Sequence, residues 1–262
     1  MTFPSDASPD PDALPAGRID LHSHLIPGID DGCQTFDESR ACIDMLREAG
    51  YVGSLCTPHV WREMFPANLP GNIEPWTEQL QHWLGETGID YAVWPGGEVR
   101  LFEDIVDWFQ HNGVPTLAGS RYILADFWTP TWPDWLDPTM DWLLEQGYKP
   151  ILAHPERTTD QFRLLERLRA LHDRGVLLQG NCLPYTGAEG RDRVRVMKQL
   201  LKEDRYDFIA LDMHGADSLP DRLKGLDQLR KAIGDDRLNE LTCDAPRRVL
   251  RDGIAQKANT PR

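Results

Sequence analysis

Short apolar, β-prone runs recur along the chain at about Arg18–Leu21, Tyr51–Cys56, Asp90–Trp94, Tyr122–Phe127, Lys149–Ala153, Gly175–Gln179 and Asp207–Leu211. The stretches between them place apolar residues at helical spacing. Thr35 with Glu38 forms a capping box ahead of one helix, and Gly50 supplies its stop. Asp137 followed by Pro138 starts another, which Gly147 ends. Strand and helix alternating at this regularity imply βαβ units and a parallel sheet. Seven near-equal repeats predict an α/β chain folded as a closed or nearly closed (β/α) barrel. A doubly wound sheet is the competing architecture, and no GxGxxG follows any of the strands. No internal boundary interrupts the pattern. Residues 18–255 read as a single barrel domain, 1–17 as a disordered leader rich in Pro, Asp and Ser, and 256–262 as a flexible tail. The irregular segment FWTPTWPDWLD, Phe127 to Asp137, reads as a loop with its own packing.

The polar residues fall at the strand ends. The first strand runs into His22-Ser23-His24, and because strand side chains alternate, both imidazoles project to one side. The second ends in Thr57-Pro58-His59, the third in Gly96-Gly97-Glu98. The fourth carries Asp126, the fifth ends in His154-Pro155-Glu156-Arg157, and the last in Asp212-Met213-His214. In a parallel barrel all strand C-termini open on one face, so these groups converge although they lie far apart in the chain. A lone histidine of this kind would read as a hydrogen-bonded core or surface residue. As a set, His22, His24, Asp31, His59, Glu98, Asp126, His154, Asp212 and His214 supply more mixed N/O donors than the roughly four that one zinc, manganese or iron ion requires. Two or three ions are expected if a carboxylate bridges.

Composition narrows the chemistry. With 262 residues, a mean hydropathy of -0.48 and no long apolar run, the chain reads as a globular protein that is not membrane-embedded. The formal charge of -14 repels phosphate backbones over most of the surface, which argues against nucleic acid as a partner. Carboxylates committed to metal ions would reverse that field at one face. Five scattered cysteines without a CxxC pair point to a reducing, cytoplasmic compartment. Cys56 to Arg62 formally satisfies C-x5-R, the pattern of phosphatases with a cysteine nucleophile. The loop has no glycine, however, and Pro58 lacks the N–H a phosphate cradle would use. Trp128, Trp132 and Trp135 read first as packing or a homo-oligomer contact, with a substrate platform as the alternative.

IDLHSHLIPGIDDG, TPH, GGEVR, AHPER and LDMH, in this order, resemble the polymerase and histidinol phosphatase (PHP) superfamily. More narrowly, they resemble its bacterial tyrosine-phosphatase branch, the CpsB/CapC type associated with exopolysaccharide and capsule synthesis. The resemblance spans Ile19 to about His214. It implies a distorted (β/α)7 barrel with a trinuclear site, holding two to three divalent ions with manganese ahead of iron or zinc. By the same resemblance His22, His24, Glu98 and Asp212 hold one ion. Glu98 bridges to a second completed by Asp126 and His154, and Asp31, His59 and His214 hold a third. By the resemblance Arg157 binds the phosphate; Arg100, which stands just after the candidate ligand Glu98, is a second candidate to offset phosphoryl charge. The family more often has glutamate at the position of Asp126, and its last motif commonly reads SDAHN where this chain has LDMHG. A second family arginine downstream has no exact counterpart, Arg222 being nearest.

The implied reaction is metal-dependent phosphomonoester hydrolysis by metal-activated hydroxide, with a phosphotyrosine protein, a bacterial tyrosine kinase of polysaccharide synthesis, as substrate. A phenol leaving group, of pKa about 10, requires no obligatory general acid. Two other readings stand beside it. One is a small-molecule phosphatase acting on a histidinol-phosphate-like or nucleotide-like ester; the other is a non-catalytic metal-bound partner of a polysaccharide-synthesis kinase.

Overall fold

Parallel strands and helices alternate through the residues that the computed structural model describes, 14–259. The first thirteen residues of the expected leader and the last three of the expected tail lie outside them. The strands are β1 (Arg18–Ser23), β2 (Tyr51–Cys56), β3 (His59–Val60), β4 (Ala92–Pro95), β5 (Glu98–Arg100), β6 (Tyr122–Asp126), β7 (Lys149–Ala153), β8 (Leu177–Asn181) and β9 (Phe208–Ala210). They pair in the orders β1-β2-β4 and β3-β5-β6-β7-β8-β9, every pair parallel.

Nine strands replace the seven expected because two staves are broken in the middle. β2 stops before Pro58, which has no N–H to give a ladder, and resumes as β3. β4 stops at Gly96-Gly97 and resumes as β5. A Cβ on Gly97 would lie 2.8 Å from the Val60 side chain, so the neighbouring stave approaches too closely for any larger residue. Seven staves remain. The two sheets meet at a parallel bridge between Ser23 and Met213. There Asp212 N–H donates to the His22 carbonyl at 2.9 Å and His24 N–H to the Met213 carbonyl at 3.0 Å. The architecture is a distorted (β/α)7 barrel.

Local signals act nearly where the sequence places them. Thr35 caps the helix Phe36–Glu48, accepting from Glu38 N–H at 3.2 Å; Glu38 reaches back to Gln34 N–H rather than to the cap residue itself. The helix Leu136–Glu145 begins ahead of Asp137, which therefore does not cap it. Instead Asp137 accepts from the Trp132 indole N–H at 2.9 Å.

Two cores result. One lies between the sheets and the outer helices. The other fills the lower barrel interior with Ile19, Leu21, Leu55, Leu124, Ile151, Phe208 and Ala210, and is closed below by the helix Ala245–Asn259. That helix continues through residues 256–259, which were expected to form the tail. Leu14 packs against the interior core, and Arg247 donates to the carbonyls of Pro15 and Gly17, so the folded chain reaches back past residue 18. No described helix is long and apolar enough to cross a membrane.

Candidate metal centre

Above the apolar plug, each stave but β8 delivers one or two of the expected donors to the same rim. His22 lies near the end of β1 and His24 just past it; β3 supplies His59, β5 Glu98 and β6 Asp126; His154 follows β7, and Asp212 and His214 follow β9. The pairing of β1 with β2 shifts register between Asp20 and Ser23, an irregularity of the kind that re-aims side chains beside active sites. It lets Leu21 join the interior core while His22 turns toward the carboxylates. His154 (φ 35°) and Asp212 (φ 52°) occupy the left-handed region although neither is glycine. Such strain persists only where the surroundings over-determine it.

The PGIDDG loop folds back on β1. Cys33 N–H donates to the His24 carbonyl at 3.0 Å, and a Cβ on Gly32 would lie 2.3 Å from that same oxygen. Only glycine fits. The turn presents Asp31 to His59 and His214, 3.3 and 3.5 Å away, and tucks Asp30 beneath His24.

Three donor sets form among the described residues, each with its ligand atoms within 4.8 Å of one another: His24, Asp31, His59 and His214; His22, His24 and Asp212; His22, Glu98 and His154. Eight of the nine expected donors are in these sets. Asp126 stands outside them because the register pairs it with Arg100, one layer farther out than Glu98, which pairs with Leu124. Asp126 lines the adjoining cleft beside His154.

The groups behind the donors fix which nitrogen is bare. His22 Nδ1 faces Gln179 Oε1 at 3.0 Å, His24 Nδ1 faces Asp30 Oδ2 at 2.7 Å, and His214 Nδ1 faces the Asp212 carbonyl at 3.1 Å. Each partner is an acceptor, so in the neutral imidazole each Nδ1 carries the hydrogen and each Nε2 a lone pair. The Nε2 atoms of His22 and His24 then confront each other at 3.3 Å, with Asp212 Oδ1 3.3 and 3.5 Å away. Lone pairs aimed at one another need a proton or a metal cation between them.

Glu98 is the common element. Its Oε1 lies 2.8 Å from His154 Nε2, while its buried Oε2 has His59 Nδ1 at 2.8 Å and His22 Nε2 at 3.3 Å without a well-formed hydrogen bond to either. Burial works against its charge, but His22, His154 and His59 hold its pKa well below the usual carboxylate range. Burial likewise disfavours the charged form of His24, yet Asp30 and Asp212 outweigh it and raise its pKa to about 10. For His59 burial is outweighed by Asp31 and Glu98, giving about 11. Asp126 moves the other way, up to about 7, through burial and the charge of Glu98. A divalent cation at the imidazole nitrogens would take the place of such protons. The mixed nitrogen and oxygen donors, the bare Nε2 atoms and the unsatisfied Glu98 oxygen all fit one.

Beside the donors opens a cleft of about 650 Å³, lined by Asp126, His154, Arg157, Glu189 and Arg193 together with the apolar Phe127, Trp128 and Pro130. Arg157 donates to Asp212 Oδ2 and grips Glu189 through two bonds, at 3.1 and 2.7 Å; Arg193 holds the same carboxylate at 2.8 Å. Arg100 lies against Trp61, its guanidinium carbon 3.9 Å from the ring centroid, and donates to the Trp128 carbonyl at 3.4 Å. Arg222 is buried behind the site, donating to the Leu211 carbonyl with Asp212 Oδ2 3.6 Å away, so it braces the last motif rather than facing the cleft. Cys56 is wholly buried, and burial raises its pKa, which removes it as a nucleophile.

Sequence reasoning missed Asp30, Gln179, Asn181, Glu189 and Arg193. Gln179 and Asn181 were discoverable, as two polar residues at alternate positions of a strand that is otherwise apolar; Asn181 donates to Asp212 Oδ2 at 2.8 Å. Asp30 adjoins Asp31 in one motif, and spacing alone does not say which is the ligand. Nothing local marks Glu189 or Arg193.

The family model described as "Capsular polysaccharide synthesis, CpsB/CapC" matches residues 18–251. The tyrosine-protein phosphatase CpsB of Streptococcus pneumoniae is 27% identical over 242 residues, covering 90% of this chain and 99% of that protein. A chain from the crystal structures of YwqE from Bacillus subtilis and CpsB from Streptococcus pneumoniae, described as unique metal-dependent tyrosine phosphatases, superposes with a TM-score of 0.79 at 25% identity. It covers 89% of this chain and 94% of that one. The phosphotriesterase homology protein of Escherichia coli, at 13% identity and a TM-score of 0.58, shares the fold; the match covers 90% of this chain and 99% of that one.

Proposed function

Because the chain belongs to the capsular polysaccharide synthesis family CpsB/CapC, we propose that it is a metal-dependent protein-tyrosine phosphatase acting in the control of exopolysaccharide or capsule synthesis. Its substrate is a phosphotyrosine protein, a tyrosine kinase of the same system, in the cytoplasm, where the free cysteines Cys33, Cys42, Cys56, Cys182 and Cys243 stay reduced. One arrangement carries this function: three sets of converging donors, one of which reaches through His154 into a cleft that Arg157 also lines.

His22, His24, Glu98 and Asp212 would hold one divalent ion, Glu98 and His154 with Asp126 nearby a second, and Asp31, His59 and His214 a third, manganese being favoured over iron or zinc. When bound, such ions supply Lewis acidity toward phosphoryl oxygens and a water acidic enough to attack at neutral pH. Asp30 and Gln179 keep the imidazoles in the tautomer that presents Nε2. Arg157 orients the phosphoryl group and offsets the charge that builds on its oxygens, with its guanidinium plane set by Glu189 and Asp212. A phenolate leaves without a dedicated acid, so the cleft needs none.

Element analysis followed by phosphatase assays with added metals tests this. Stoichiometric metal, loss of activity with chelator, recovery with manganese and preference for a phosphotyrosyl peptide are expected. Preference for histidinol phosphate or a nucleotide would move the substrate to small esters. Full metal occupancy with no hydrolysis of any phosphomonoester would leave a non-catalytic partner.

A further inference from the structure

The three tryptophans of the segment after β6 do different things. Trp132 packs edge-on against Phe127, with ring centroids 5.5 Å apart, and gives its indole N–H to Asp137. Trp135 packs partly buried against the outer core. Trp128 does neither: it is 60% exposed, yet it lines the cleft. Its position is nonetheless held. Trp61 meets its ring at 5.8 Å, the Arg100 guanidinium carbon lies 5.3 Å from its centroid, and Arg100 donates to its carbonyl. Thr159 ties down the next residue through the Thr129 carbonyl at 3.0 Å. A large apolar face kept open to water but anchored from behind is an arrangement suited to a ligand rather than to packing.

The cleft that Trp128 shares with Asp126, His154 and Arg157 sets what that ligand is. Trp128 follows Asp126 by two residues, so their Cα atoms are at most about 7.6 Å apart. A ligand with its anionic head at His154 and Arg157 shares the cleft with the Trp128 face, which suits a flat apolar body. We propose that Trp128, backed by Arg100 and Trp61, is the leaving-group wall of the cleft, taking the aryl ring of an aryl phosphomonoester and selecting it over alkyl phosphomonoesters. The inference rests on the phosphatase reading and names which residues give it an aryl preference. Arg100 is on this account a positioning residue, its cation spent on two indoles rather than on phosphate.

Binding separates this wall from the chemistry. Calorimetry on the metal-loaded protein compares phenylphosphonate with methylphosphonate, neither of which can be hydrolysed, for the wild type, Trp128→Ala and Trp128→Phe. The wild type should bind the phenyl compound more tightly. Trp128→Ala should lose roughly 2- to 13-fold of phenylphosphonate affinity, the range expected of an aromatic contact, with methylphosphonate affinity and metal content unchanged. Trp128→Phe should recover most of the loss. An unaltered phenyl-to-methyl ratio in Trp128→Ala overturns the wall, and so does failure of the wild type to bind phenylphosphonate. Hydrolysis is read in parallel: a wild type that binds phenylphosphonate and turns over no aryl phosphate overturns the phosphatase reading and leaves the wall standing.

Discussion

The two halves of the barrel interior are built from the same strands by opposite means. Below, Ile19, Leu55, Leu124, Ile151 and Phe208 interlock as a dry plug, each wholly or almost wholly buried. Above, the next inward positions of those staves are imidazoles and carboxylates buried to a similar degree: His22 and His24 at 0% exposure, Glu98 and Asp212 at 1%. The plug satisfies itself, because apolar side chains need only close contact. The rim cannot, because its lone pairs face one another, and it needs both a supporting ring of hydrogen bonds behind it and protons or a metal cation within it. The lower half therefore serves stability and the upper half function, and a substitution should move one property or the other according to its height in the barrel.

The sharpest way to break that division is at the rim itself. His22→Ala or Asp212→Ala should abolish phosphatase activity through loss of metal, measured by element analysis and turnover together, while Cys56→Ser leaves activity nearly intact. A dead Cys56→Ser protein with normal metal content would overturn the mechanism. Next in size is the plug: Leu124→Ala should cost about 2–5 kcal/mol in denaturant unfolding, through lost burial and the cavity left behind. The variant that still folds should retain wild-type metal content. Smaller again is the supporting ring. Gln179→Ala strips the acceptor from His22 Nδ1 and should weaken metal affinity by about 10- to 100-fold, read by competition with a chelator; an unchanged affinity would show that the tautomer is set elsewhere.

The smallest effect belongs to the bottom surface, where Arg121 pairs with Asp252 through its backbone and side chain. Asp252→Asn should cost no more than about 1 kcal/mol, since the arginine is half exposed and solvent screens the pair. Partial burial works against the Asp252 charge, but Arg121 outweighs it and lowers the pKa from 3.8. The folded value is the lower one, so this contribution is present above pH 3.8 and fades as pH falls through the folded pKa. Thermal melts of wild type and variant should converge in acid; a gap that widens there would reverse the sign.

Much of this was legible in one dimension. Period-two alternation, helix caps and strand-end histidines pointed to the barrel and to its nine candidate donors, because a parallel barrel allows only one face on which strand C-termini can gather. The breaks at Pro58 and Gly96-Gly97 were visible as residues but not as staves that resume. Asp126 shows the limit from the other side. Its place at the end of a strand is plain in the sequence, yet whether it reaches the donors depends on pairing with Arg100 rather than with Glu98, and register between strands is set by how both pack.

By itself, then, the sequence determined the repeat, the rim and the residue types that meet there, since these follow from local period and chain order. Tertiary structure alone decided which nitrogen of each histidine is bare, which of Asp30 and Asp31 stands behind and which in front, that Arg222 braces while Arg157 faces the cleft, and that one tryptophan of three stays open. Those outcomes depend on contacts between residues up to 157 positions apart, as His22 is from Gln179. Hydrogen-bond direction and strand register exist only once such partners have been brought together.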